Sequence, residues 1–194
     1  MGNLSYTRGI GGNHNRKREK DDYYATPPRA IDDLVSKIHL HERIWEVACG
    51  GGHLSERLKA FGYIVKSTDL VDRGYDDFAG QLDFINSPIE KFSGDIVTNP
   101  PYKLAAEFVE KSLDSIEVGN KVCMFLKIQF LEGQKRYEQL YSKGGLKHVL
   151  VYSKRISTAK NADFDKYKTT AMCHAWFVWE KGYEGLPSID WIYQ

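Results

Sequence analysis

Asn99-Pro100-Pro101-Tyr102, directly after the apolar stretch Asp95-Ile96-Val97-Thr98, is the segment of this chain best suited to chemistry. Two prolines fix φ and remove two N–H donors, so the carbonyls around them point outward without a ladder partner. The Asn99 side-chain oxygen can accept one proton of a planar –NH2 group and a backbone carbonyl the other, while the Tyr102 ring offers a stacking face. Methylation of a planar, conjugated nitrogen is the reaction this combination suits. The same four residues also suit an ordinary turn, where Asn and Pro are favoured. A second group lies upstream. Cys49-Gly50-Gly51-Gly52 gives bare backbone for a close ligand approach, and Asp69 falls about where an acidic residue takes the ribose hydroxyls of an adenosine cofactor.

The elements that must position these residues alternate. Pro27 and Pro28 open a helix over Ala30–Leu40, with Ile31, Leu34, Val35 and Ile38 at helical spacing. A strand over Arg43–Ala48 runs into the glycines and a helix from Leu54 to Phe61, and a second strand over Tyr63–Thr68 ends on Asp69. Leu82–Asn86 and Asp95–Thr98 read as short strands, and Leu104–Ile116 as an amphipathic helix. Lys121–Ile128 is a strand, Gln134–Tyr141 a helix, His148–Tyr152 a strand and Cys173–Trp179 a final strand, antiparallel at the sheet's end. The pattern predicts a three-layer α/β fold with a mostly parallel sheet. Residues 1–22 are polar and without periodicity, which predicts a flexible N-terminal arm. Residues 23–194 then form a single catalytic domain carrying a polar insertion at about 153–170.

Composition narrows the function. The 194 residues are 42% hydrophobic, enough for one well-buried domain and short for two. No apolar run reaches the roughly 18 residues of a membrane span, and no secretory pattern opens the chain. A soluble, cytoplasmic protein with no membrane partner is expected. Cys49, Cys123 and Cys173 are far apart among apolar residues and the histidines show no ligand spacing, so neither disulfides nor a metal is expected. Net charge is +1, but residues 121–172 carry 11 basic and 4 acidic side chains, an excess that suits a polyanionic partner or simply solvates exposed faces.

Asn99-Pro100-Pro101-Tyr102 resembles the catalytic motif of S-adenosylmethionine-dependent amino-methyltransferases, which modify adenine N6 in DNA or RNA and, in one branch, glutamine side chains. Glu46-x-Ala48-Cys49-Gly50-x-Gly52 resembles the first cofactor motif of adenine methyltransferases, with Val47 where proline is frequent. Gly50-x-Gly52-x-x-Ser55 alone leaves NAD and S-adenosyl-L-methionine both open; the Asn-Pro-Pro-Tyr ledge favours the latter. Tyr24-Ala25-Thr26-Pro27 resembles the segment that packs the methionine end of that cofactor, and Asp83-Phe84 the pair that contacts its adenine. Phe130-Leu131-Glu132-Gly133 with Arg136 resembles a segment of small phage and prophage methyltransferases. The resemblance implies a Rossmann-like methyltransferase fold, Glu46 facing the cofactor's ammonium, and Asn99, Pro100, Pro101 and Tyr102 at the catalytic centre.

Within that resemblance, Asn at the head of the motif favours adenine N6. The insertion interleaves Lys154, Arg155, Lys160, Lys166 and Lys168 with Phe164 and Tyr167. Cations meeting phosphates and rings meeting bases would make it a nucleic-acid contact, although an exposed hairpin or lid has the same composition. The expected function is N6-adenine methylation of nucleic acid, DNA before RNA. Protein-glutamine methylation and a non-catalytic nucleic-acid-binding module are the alternatives.

Overall fold

The structure, a computed structural model, describes residues 24–160, 162–164 and 170–193. The arm expected over 1–22 lies outside the described residues. In chain order the elements are β1 (Tyr24–Ala25), α1 (Arg29–Val35), β2 (Arg43–Glu46), α2 (His53–Ala60), β3 (Ile64–Asp69), β4 (Gly80–Gln81) and β5 (Asp95–Thr98). Then follow α3 (Ala105–Ser115), β6 (Lys121–Lys127), α4 (Gln134–Gln139), β7 (Leu146–Tyr152), β8 (Ala159–Lys160), β9 (His174–Glu180) and β10 (Ser188–Ile192).

Eight strands form the main sheet in the order β10-β7-β9-β6-β5-β2-β3-β4. Successive side chains of a strand point to opposite faces, and the central strands divide their apolar residues accordingly. Trp45, Ile96, Val122, Met124, Phe177 and Trp179 pack on one face with Phe108 and Val109 of α3. Ile44, Val97, Cys123, Phe125, Trp176 and Val178 pack on the other with Ile31 and Leu34 of α1 and Leu54 and Leu58 of α2. Helices cover both faces, which gives the expected three layers.

The β5–β2–β3–β4 and β5–β6 pairings are parallel, and β9 is antiparallel to both β6 and β7. Two expectations are corrected. The antiparallel strand is neither at the sheet's end nor last in the chain: β9 is inserted between β6 and β7, and β10 follows it, parallel to β7 at the edge. Four of the five β10 positions are exposed, as befits an edge strand. Leu82–Asn86 is not a strand. The Asp83 carboxylate accepts from the backbone N–H of Asn86 at 3.1 Å and from its Nδ2 at 2.9 Å, bending the chain into a turn, and only Gly80–Gln81 pairs with β3.

Candidate active site

A cavity of about 660 Å³ opens where the chain leaves the carboxyl ends of β2, β3 and β5, the region of a parallel sheet where ligands gather. Its wall includes Tyr24, Thr26, Glu46, Ala48, Cys49, Asp69, Asp83, Phe84, Asn99, Pro100, Pro101 and Tyr102. Of the residues expected there, Pro27, Gly50 and Gly52 do not line it. Pro27 opens α1, its carbonyl accepting the Ala30 N–H at 2.9 Å. Gly50 donates its N–H to Asp69 Oδ2 at 2.8 Å, which ties the glycine turn to the end of β3. Gly52 has φ +78°, and a Cβ there would fall 2.4 Å from the Tyr75 ring. Only glycine meets both demands.

Asp69 also accepts the Val71 N–H at 3.0 Å through Oδ1. Each carboxylate oxygen has a second lone pair, so two further donors can be received. Glu46 lies at the base of the cavity, 2% exposed, where its Oε2 accepts the Ser55 hydroxyl, itself 2.7 Å from that of Ser67. Burial pushes its carboxyl up to about 8. Asp83, at the rim, is held below the usual carboxylate range by its hydrogen bonds to Asn86. Phe84 packs edge-on to Trp45, ring centroids 5.5 Å apart, so its ring belongs to the core as well as to the wall.

Asn99 is held from a distant part of the chain. Its Nδ2 donates to the Tyr24 carbonyl at 3.2 Å and to Thr26 Oγ1 at 2.8 Å. A carbonyl can only accept, so the amide orientation is fixed by these partners. Oδ1 is left buried and, among the described residues, without a hydrogen bond. The Pro101 carbonyl accepts from Leu104 at 2.9 Å, whereas no described backbone N–H donates to the Pro100 carbonyl. Tyr102 follows in a single 3-10 turn, Tyr102–Leu104, with the Lys127 ammonium 4.8 Å from its ring centre and its hydroxyl 3.1 Å from His174 Nε2.

The insertion returns to this site. β8 pairs antiparallel with β1, Tyr24 opposite Lys160 and Ala25 opposite Ala159, and Phe164 meets the His53 ring edge-on at 5.6 Å. Lys154 and Arg155 are exposed, Arg155 donating to the Thr170 carbonyl at 3.4 Å. The Lys160 side chain, Lys166 and Lys168 lie outside the described residues. Phe130-Leu131-Glu132-Gly133 stands apart from the main cavity. Arg136 clasps that segment, donating to the carbonyls of Phe130 at 3.0 Å, Gln129 at 3.3 Å and Glu132.

Several wall residues carry no motif that marks them in the sequence, among them His53, Arg73, Asn86 and Phe108. His53 directly follows the glycine turn and Asn86 stands three residues after Asp83, both usable signals. Phe108 reads only as a helix-face apolar residue. Among the described residues no group of His, Cys, Asp and Glu gathers as a metal site, and no helix is long and apolar enough to cross a membrane.

No protein-family model and no curated protein sequence matches the chain. Solved structures share its fold. The M protein of the type I restriction enzyme EcoKI is 14% identical with a TM-score of 0.60, covering 83% of this chain and 44% of that one. A Listeria monocytogenes protein described as a class I S-adenosylmethionine-dependent methyltransferase is 10% identical with a TM-score of 0.59, covering 87% and 65%. A methyltransferase from Pyrococcus furiosus is 16% identical with a TM-score of 0.52, covering 81% and 83%. The chain thus spans less than two thirds of the first two, and at these identities the likeness is one of fold.

Proposed function

We infer that this protein transfers a methyl group from S-adenosyl-L-methionine to the exocyclic N6 amino group of adenine in nucleic acid, with DNA favoured over RNA. The observation that carries the reading is Asn99 Oδ1, a buried acceptor that has no partner among the described residues and stands on the wall of a ligand-sized cavity. Buried acceptors are normally satisfied, so such an atom points to a donor that arrives with a ligand. Beside it are the Pro100 carbonyl and the Tyr102 ring, and together they offer two acceptors and a flat face to a planar –NH2.

The residues present fit the cofactor. Asp69 has lone pairs free for two ribose hydroxyls. Glu46 supplies an anion opposite an ammonium, whose approach would favour the ionised carboxylate that burial alone disfavours. When bound, the cofactor supplies an electrophilic methyl group on a sulfonium. Asn99 Oδ1 and the Pro100 carbonyl accept hydrogen bonds from the two amino N–H groups, favouring a more tetrahedral nitrogen with a localised lone pair aligned for in-line attack, and the methylated nitrogen releases its surplus proton to solvent. No dedicated general base is needed in this scheme. Tyr102 stacks on the base, a contact worth roughly 1–3 kcal/mol that helps offset extrusion of the base from a duplex.

Lys154 and Arg155, exposed between β7 and β8, give the phosphates a positive surface, and the fold shared with a restriction enzyme's M protein supports DNA. Incubation of the protein with methyl-labelled cofactor and separate DNA, RNA and protein pools tests the reading. N6-methyladenine in digested DNA is the expected product. Label confined to polypeptide and resistant to nuclease would replace adenine by glutamine, whose amide presents the same pair of N–H groups. Cofactor binding without turnover on any pool would leave a binding module.

A further inference from the structure

We propose that His174 is a positioning residue that fixes where the Tyr102 ring lies and references it to the backbone of the polar insertion. The proposal rests on the reading of Tyr102 as the platform for the substrate base. His174 opens β9 opposite Lys127, is 2% exposed, and lies flat on Phe125 with centroids 4.9 Å apart and planes 20° apart. It is not part of the cavity wall.

Its two ring nitrogens have different neighbours. Nδ1 is 3.2 Å from the carbonyl oxygen of Ile156, and Nε2 is 3.1 Å from the Tyr102 hydroxyl. A carbonyl has no proton to give, so Nδ1 must carry the N–H. Burial lowers the basicity of the imidazole to about 4, which keeps it neutral near pH 7. A neutral imidazole protonated on Nδ1 presents a lone pair at Nε2, and the Tyr102 hydroxyl donates to it. The chain of contacts therefore has one direction, from Tyr102 through His174 to Ile156.

A Tyr ring left free at χ1 swings its far end through an arc, and stacking depends on where the ring lies. Anchoring the hydroxyl to a ring that is itself packed on Phe125 and bonded to a backbone carbonyl removes that swing. Ile156 lies three residues before Ala159, which pairs with Ala25 in the segment that holds Asn99 through the Tyr24 carbonyl and Thr26. The stretch 156–160 thus references both the amide that grips the amino group and the ring that holds the base. No local pattern around His174 announces this, because its two partners come from elsewhere in the chain.

Two measurements test the proposal. In protein labelled with 15N-histidine, the His174 ring should show a protonated Nδ1 and an unprotonated Nε2, and Tyr102→Phe should shift Nε2 alone. In methyl-transfer assays at saturating cofactor, His174→Leu and Tyr102→Phe should each lower kcat roughly 10- to 100-fold, the range expected for a misplaced reacting group. The double variant should be no slower than the slower single one, and cofactor affinity should stay within about two-fold of wild type while this coupling is read. His174→Gln, whose amide can donate to Ile156 and accept from Tyr102, should recover most of the rate. A protonated Nε2, or an unchanged kcat in Tyr102→Phe, overturns the positioning role even in an active enzyme. If His174→Leu fails to fold, Tyr102→Phe and the tautomer still decide. Absence of turnover by wild-type protein on every substrate pool overturns the methyltransferase reading, and this role with it.

Discussion

Replacing Asn99 by alanine removes two functions that the structure allows to be separated. The first is structural. Nδ2 makes two hydrogen bonds, at 3.2 Å to the Tyr24 carbonyl and 2.8 Å to Thr26 Oγ1. At about 1 kcal/mol net for each bond, with an added penalty for a buried acceptor left alone, the loss of stability is about 2–3 kcal/mol. The second is chemical. Oδ1 has no partner among the described residues, so deleting it costs nothing until an amino group needs an acceptor. Losing one preorganised hydrogen-bonding group at a reacting centre lowers kcat by about 10²–10³. Thr26→Val provides the control, because it removes one of the Nδ2 bonds, about 1 kcal/mol, and leaves Oδ1 in place. Transfer of labelled methyl groups to DNA under single-turnover conditions reads the chemistry, calorimetry reads cofactor affinity, and denaturant unfolding reads stability. Asn99→Ala should lose at least about 100-fold in rate with cofactor affinity within a few-fold, and Thr26→Val should lose far less. Equal rate losses in the two variants would reduce Asn99 to a peg for the Tyr24–Thr26 segment. A fall in cofactor affinity matching the fall in rate would place Asn99 at the cofactor instead.

Further expectations follow from single side chains. Glu46 binds a proton more readily in the folded protein, up to about 8 against an ordinary 4.5, so the native state holds the extra proton between those values and stability falls as pH rises through that window. Urea titrations at pH 5 and pH 8 should show a decline on the order of a few kcal/mol that Glu46→Gln removes; a wild-type protein as stable at pH 8 as at pH 5 would contradict it. Gly52→Ala forces a side chain into φ +78° and against the Tyr75 ring, and should destabilise by roughly 1–3 kcal/mol, lowering Tm by about 2–4 °C per kcal/mol. Tyr75→Ala should restore only the steric part, and full restoration would mean that φ strain is negligible there. Changing Lys154 and Arg155 together to glutamine should weaken DNA binding for all sequences and make the log–log salt dependence shallower by about 0.9 for each phosphate no longer neutralised. An unaltered slope would move the phosphate path elsewhere.

The local features of this protein were legible in its sequence. Asn99-Pro100-Pro101-Tyr102 follows a buried strand, the glycine turn joins a strand to a helix, and Asp69 closes the next strand, because periodicity and turn chemistry act within a few residues. The alternation of strands and helices likewise gave the three layers, since each element must bury its own apolar face. What remained hidden depends on residues far apart in the chain. The insertion of β9 between β6 and β7 is a choice of strand partner, and so is the place of β10 at the edge beside β7. Asn99 meets Tyr24 and Thr26 from more than 70 positions away, as does Tyr102 with His174. The raised carboxyl of Glu46 and the neutral ring of His174 arise from desolvation, which belongs to the packed interior and to no residue type. Sequence alone supplied the chemical groups and their order along the sheet; the tertiary structure decided which atoms are already satisfied, and left Asn99 Oδ1 buried and without a hydrogen-bond partner among the described residues.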